Sequence, residues 1–262
     1  MSVRHRHPRA DWPVAGENTG DKPLPQLSRE TDGGLDMTAT IPIGVIFDMD
    51  GVLVDSAEPH LKSWQQLAIE EGTTVTAQQF AETFGRQNRD IVPILFGTGA
   101  TARLTELSDR KEALYRDLVR DNVPIVPGAA ELIRALHAEG ARLAIGSSGP
   151  RANIDLVLGA MDISDCMSAI VSADDVTRGK PDPQVFSLAC ERLGLPPGRC
   201  VVIEDAPSGV EAANAAGAKS VAILMHHPAT AFDDADLVVD RLADLSVNTL
   251  TAMIEIGSCE HA

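Results

Sequence analysis

The segment Asp48-Met49-Asp50-Gly51-Val52-Leu53-Val54-Asp55-Ser56 sets two carboxylates two residues apart and follows them with a glycine that permits a tight turn. Two carboxylates so placed can share one hard cation. One of them can attack phosphorus while the other manages a proton. An acyl phosphate on the attacking aspartate would split one hard displacement into two easier ones. Taken alone, the segment also reads as an acidic turn after a strand.

Three further segments supply what such chemistry needs. Gly146-Ser147-Ser148 offers hydroxyls and backbone N–H groups that can hold a phosphoryl oxygen. In Gly179-Lys180-Pro181-Asp182-Pro183, a lysine fixed between Gly and Pro can neutralise a nucleophile and a transferring phosphoryl group. Val201-Val202-Ile203-Glu204-Asp205 ends an apolar run on two acids, and burying two uncompensated carboxylates is costly unless a cation such as Mg2+ offsets the charge. Ser208 and Gly209 then open a helix whose N-terminus favours anions. Each segment alone has a plainer reading, as a Ser/Gly loop or a surface lysine. Their shared position is the argument, because together they lie at the C-terminal ends of four predicted strands in one α/β domain.

Ile43-Gly44-Val45-Ile46-Phe47 is a β-branched and aromatic run that predicts a buried strand. After Asp55 the period becomes helical, with Leu61, Trp64, Leu67 and Ala68 on one face. Thr76-x-x-Gln79 has the form of a capping box. Residues 103–120 carry Leu104, Leu107, Leu114 and Leu118 in helical register, and Val123-Pro124-Ile125-Val126-Pro127-Gly128 breaks the pattern as a linker. Beyond it, helices at 129–139, 151–159, 182–194 (N-capped by Asp182, with Pro183 in its first turn) and 208–216 alternate with strands at 142–145, 169–171, 200–203, 220–224 and 237–239. Alternation of this kind predicts a doubly wound parallel-sheet (Rossmann-like) α/β core, with a helical insert after its first strand. Ligands of such cores bind at the carboxyl ends of strands near the topological switch point. The expected organisation is a disordered tail over 1–39, a core over 40–56 and 126–256, and the insert over 57–125. Met37 is a candidate start residue; the other reading of the upstream stretch is a regulatory or targeting tail.

The chain has 262 residues, 44% of them hydrophobic and only 3% aromatic, so its core must be aliphatic. A net charge of -16 argues against binding nucleic acid or an anionic membrane over a broad surface. An anionic substrate would need local cations or a metal to draw it in. Cys166, Cys190, Cys200 and Cys259 form no Cys-x-x-Cys pair, which argues against zinc or a disulfide framework and for free thiols in a reducing cytoplasm. No apolar run approaches the length of a membrane span, and the N-terminus lacks the apolar stretch of a secretory signal.

In this order, DMDGVLVDS, GSS, GKPDP and ED resemble the four motifs of the haloacid dehalogenase-like superfamily, over about residues 41 to 245. The insert resembles the small helical cap of the phosphoglycolate phosphatase and beta-phosphoglucomutase branch. The resemblance implies that Asp48 is the nucleophile and a Mg2+ ligand. Asp50 would be the general acid/base and a ligand through its backbone carbonyl. Ser147 and Lys180 would bind the transferring phosphoryl group, with Gly51 and Ser148 in the same loops. Asp205 would ligate the metal, with Glu204 beside it. His60, in Ala57-Glu58-Pro59-His60, would couple cap closure to acid/base function; its plainer reading is a capped or solvated helix residue. Lys111 and Arg86 are the candidate cap cations, though Lys111 could equally lie on a solvated face. True dehalogenases lack the second aspartate, so Asp50 argues for phosphoryl transfer.

The expected activity is Mg2+-dependent hydrolysis of a small phosphorylated metabolite, a sugar phosphate first, by a monomer or small homo-oligomer. Beta-phosphoglucomutase is the alternative. Against it stand Gly149-Pro150, where the mutases have Ser-Lys, and a cap loop, Phe84 to Asp90, that lacks their Val-Ser-Arg. The third reading is a non-catalytic regulator that binds a phosphorylated ligand.

Overall fold

The computed structural model describes residues 42–258; the expected tail over 1–39 and Cys259 lie outside them. Six strands form one wholly parallel sheet: β1 (Gly44–Phe47), β2 (Arg142–Gly146), β3 (Met167–Val171), β4 (Cys200–Glu204), β5 (Lys219–Ile223) and β6 (Leu237–Val239). Their order is β3-β2-β1-β4-β5-β6. The chain winds outward from β1 to β3, then returns to place β4 on the other side of β1, so the switch point lies at β1.

β1 is apolar at every position because it is covered on both faces. Val45 and Phe47 join Leu143, Ile145, Val201 and Ile203 on one face. That face is covered by α5 (Ala129–Ala138), α6 (Arg151–Met161) and α9 (Val247–Ser258), through side chains such as Ile133, Val157 and Leu250. Ile46, Ala144 and Val202 point the other way, under α7 (Gln184–Leu193) and α8 (Pro207–Ala216).

Between β1 and β2 the chain forms α1 (Ala57–Glu70), α2 (Ala77–Ala81), α3 (Asn88–Phe96) and α4 (Leu104–Val119). These helices bury an apolar cluster of their own, built on Trp64, Leu67, Phe80, Val92 and Leu107. The two chain segments that join this helical layer to the sheet pair with each other. Asp55 N–H donates to the Pro124 carbonyl at 2.8 Å, and Val126 N–H to the Leu53 carbonyl at 2.9 Å.

The capping box forms as expected, with Gln79 N–H donating to Thr76 Oγ1 and Thr76 N–H to Gln79 Oε1. Other readings are corrected. α7 begins at Gln184 with Pro183 as its N-cap, and Asp182 caps from one residue further back by accepting the Gln184 N–H at 3.0 Å. α3 occupies part of the expected loop over 84–90 and carries Pro93 inside it. α9 was not expected.

Candidate active site

The carboxyl ends of β1, β2 and β4 lie side by side, and the charged residues of the four motifs converge there. β1 runs into Asp48, whose N–H extends the ladder to the Ile203 carbonyl at 2.9 Å. The chain then folds back over 49–54, with Gly51 N–H donating to the Val54 carbonyl. This turn needs glycine twice over. Gly51 has φ of +81°, and a Cβ there would lie 1.8 Å from Asp205 Oδ2. Gly51 therefore makes room for the Asp205 carboxylate. Gly209 does the same for Glu204, whose Cδ would sit 1.9 Å from an added Cβ.

Lys180 is the hub. Its ammonium donates to Asp48 Oδ1 at 2.6 Å, Glu204 Oε1 at 2.5 Å and the Gly146 carbonyl at 3.2 Å, and lies 4.8 Å from the centre of the Phe186 ring. Glu204 Oε2 accepts the N–H groups of Asp205 and Ala206. Asp48, Glu204 and Asp205 are all buried, and one oxygen of each falls within 4.8 Å of the others. One buried ammonium does not balance three buried carboxylates. Burial, together with Glu204 and Asp50, pushes Asp48 up to about 7 despite Lys180. Burial, with Glu204 and Asp48, raises Asp205 well above the carboxylate range. The same pair of carboxylates holds the Lys180 ammonium above its ordinary range, against the opposing effect of burial. Protons or a hard cation would relieve this excess, and an all-oxygen donor set of this kind fits Mg2+.

Asp50 has a separate set of partners. Its Oδ1 accepts from Ser56 Oγ at 2.5 Å and from His60 Nε2 at 3.1 Å. Burial alone would raise Asp50, but His60, Ser56 and Lys111 together hold it below the ordinary range. His60 stacks on Tyr115, 4.0 Å between ring centres and 8° between planes. Its Nδ1 lies 2.6 Å from Lys111 Nζ. Both are buried, so neither lies on a solvated face. Lys111 also donates to Glu112 Oε1 at 2.9 Å and lies 5.2 Å from the Trp64 ring centre.

Ser147 and Ser148 differ in placement. Ser147 is buried, and its Oγ accepts the Gly149 N–H at 3.0 Å. Ser148 lines the cleft that holds Asp48, Asp50 and Lys180. Arg86 is exposed and borders the neighbouring cleft with Asp50, His60 and Lys111. Ser56, Glu112 and Tyr115 also belong to this constellation. Ser56 stood in the first motif without a role. Glu112 and Tyr115 follow Lys111 by one and four residues, a helical spacing that carries one face of α4 into the site.

Fold and site together define a doubly wound α/β protein with a carboxylate-lined crevice at its switch point, covered by a helical layer. Residues 44–217 match the family described as haloacid dehalogenase-like hydrolase. The chain is 32% identical to a protein named beta-phosphoglucomutase from Bacillus subtilis, over 79% of this chain and 92% of that one. It is 31% identical to a chloroplastic 5-amino-6-(5-phospho-D-ribitylamino)uracil phosphatase from Arabidopsis thaliana, over 95% of this chain and 66% of that protein, so it spans about two thirds of that relative's length. A crystal structure of beta-phosphoglucomutase from Clostridium difficile superposes with a TM-score of 0.74 at 24% identity, covering 84% of this chain and all of that one, and attests the fold. The chain belongs to the haloacid dehalogenase-like hydrolase family and is an enzyme of that class.

Proposed function

We propose that the protein is a Mg2+-dependent phosphatase of a small phosphorylated metabolite, a sugar phosphate first, acting in the cytoplasm as a monomer or small homo-oligomer through an aspartyl phosphate on Asp48. One observation carries the reading. The Lys180 ammonium is held between Asp48 and Glu204, with Asp205 in the same group, one turn away from an aspartate that has its own hydrogen-bond partners. Such a site can attack phosphorus with one carboxylate and move a proton with the other.

Asp48 attacks in line while Lys180 holds its unused oxygen and faces the transferring phosphoryl group. Ser147, Ser148 and the loop N–H groups after β2 orient the phosphoryl oxygens, and Ser147 Oγ also accepts the Gly149 N–H. Asp50 gives a proton to the leaving alcohol and then takes one from the water that opens the aspartyl phosphate. Once it has given that proton, Ser56 and His60 hold it as the carboxylate that takes the next one from water, which restores the acid for the following turnover. Asp48, Asp205 and the Asp50 carbonyl would hold Mg2+, with Glu204 beside them. Bound there, it would neutralise charge on the phosphoryl oxygens. Residues 57–125 act as a cap over the core formed by 40–56 and 126–256, excluding bulk water and offering Lys111 and Arg86 to the leaving group.

Named relatives support this reading. A fructose-1-phosphate phosphatase from Escherichia coli is 30% identical over 68% of the chain, and a phosphorylated carbohydrates phosphatase from Thermotoga maritima is 30% identical over 70%. The mutase reading shares the covalent step. Gly149 and Pro150 present no side-chain donor where a second phosphate would need one, which favours water as acceptor. Phosphorus NMR with Mg2+, beta-glucose 1-phosphate and a trace of glucose 1,6-bisphosphate separates the two. Release of inorganic phosphate without glucose 6-phosphate is expected. Accumulation of glucose 6-phosphate with little free phosphate would establish the mutase.

A further inference from the structure

The chain of contacts that ends on Asp50 does not begin at Lys111. Glu112, the next residue on α4, is a buried carboxylate with three donors. Oε1 accepts from Lys111 Nζ at 2.9 Å and from Asn88 Nδ2 at 2.8 Å. Oε2 accepts from Asn153 Nδ2 at 2.7 Å. Asn153 lies on α6, across the boundary between the helical layer and the sheet, and is fully buried. Its Oδ1 accepts from Arg116 Nη1 at 2.9 Å. Glu112 and Arg116 are four apart and so share one face of α4, and between them they grip both ends of a single amide. No other buried side-chain hydrogen bond reaches from α4 to α6 among the described residues.

An ammonium can only donate. With Lys111 charged, His60 Nδ1 must therefore accept, and the ring proton must sit on Nε2, where it points at Asp50 Oδ1. That assignment lasts only while Lys111 stays in place. Its position depends on Glu112, which supplies the opposing charge, and Glu112 is in turn aimed by Asn153. Lifting α4 from α6 would break the Glu112–Asn153 and Arg116–Asn153 hydrogen bonds together, and Glu112 would lose the donor that aims it from α6.

We propose that Glu112 and Asn153 are positioning residues that complete the Asp50–His60–Lys111 chain only when the helical layer is docked on α6. The clasp extends to Glu112 and Asn153 the coupling of cap closure to acid/base function that the family resemblance implies for His60. The proposal rests on the acid/base role of Asp50 given above.

The test uses the full chain with Mg2+, the variants Asn153→Ala and Glu112→Gln and their combination, and p-nitrophenyl phosphate as probe. Nitrogen-15 NMR of the His60 ring reports which nitrogen carries the proton. The wild type is expected to hold it on Nε2, and both single variants to shift toward a mixture. Turnover should fall about 10- to 100-fold, the scale of a misaimed catalytic group, with KM within about 2-fold. The combined variant should be no slower than the slower single one, because both act through one chain. An unchanged His60 ring in both variants, or losses that multiply in the combination, would overturn the proposal. If Asn153→Ala does not fold, Arg116→Gln frees the same amide from a partly exposed position and should shift the ring in the same direction. A wild type that does not hydrolyse the probe would count against the phosphatase reading, and the His60 ring would then decide the clasp by itself.

Discussion

Replacing Lys180 by Met keeps a side chain of similar length over the Phe186 ring and removes the one ammonium shared by Asp48 and Glu204. Removing one partner of a buried ion pair costs about 3–5 kcal/mol, because the charge left behind stays buried and unpaired. For a chain of this size that lowers the melting temperature by about 6–20 °C. The pH dependence follows from the carboxylates. Asp48 is already raised to about 7 and Asp205 is raised as well, so these two groups hold more protons in the folded protein than in the unfolded chain between about pH 4 and 7. Their contribution to the stability of the metal-free wild type therefore falls as pH rises through that window. Without Lys180 the carboxylates are raised further. The variant's deficit should be full at pH 8 and shrink toward pH 4, where protons do the work of the missing ammonium. Thermal unfolding in a chelator, followed by far-ultraviolet circular dichroism at pH 4.5 and 8, reads this directly. A deficit equal at the two pH values, or absent at pH 8, would refute the charge argument.

Two further outcomes follow from the same site. Saturating Mg2+ should stabilise the wild type by about 2.7 kcal/mol at a hundredfold excess over its dissociation constant at pH 8, and by clearly less at pH 5, where protons compete for the same oxygens; unfolding curves that respond to Mg2+ equally at both pH values would contradict this. Gly51→Ala forces a side chain into φ +81° and against Asp205, so it should cost about 1–3 kcal/mol and weaken the Mg2+ response together; a variant that melts and binds Mg2+ like the wild type would show that the turn has room to spare.

Where the chemistry depends on strand ends, it was legible in the sequence. β1 and β4 are apolar runs that stop on carboxylates, and a strand buried on both faces has no other way to be written. Lys180 was legible because glycine and proline hold it beside a helix start. Less visible were residues whose meaning depends on distant partners. Ser56, Glu112 and Asn153 have ordinary types in ordinary positions, and Glu112 meets Asn153 across 41 residues of chain. The two serines after β2 could not be told apart by spacing, since only the turn decides that Ser148 faces the cleft. α3 was hidden by Pro93, which reads as a breaker, and α9 by an apolar stretch with no strong period.

The central claim is that Asp48 carries the phosphoryl group, and rapid acid quench during turnover with Mg2+, followed by mass spectrometry of the digested chain, tests it most directly. The account predicts a phosphoryl adduct on the peptide that contains Asp48, with adduct and turnover both lost in Asp48→Asn while the fold is kept. An adduct on another residue, or turnover retained in Asp48→Asn, would contradict it.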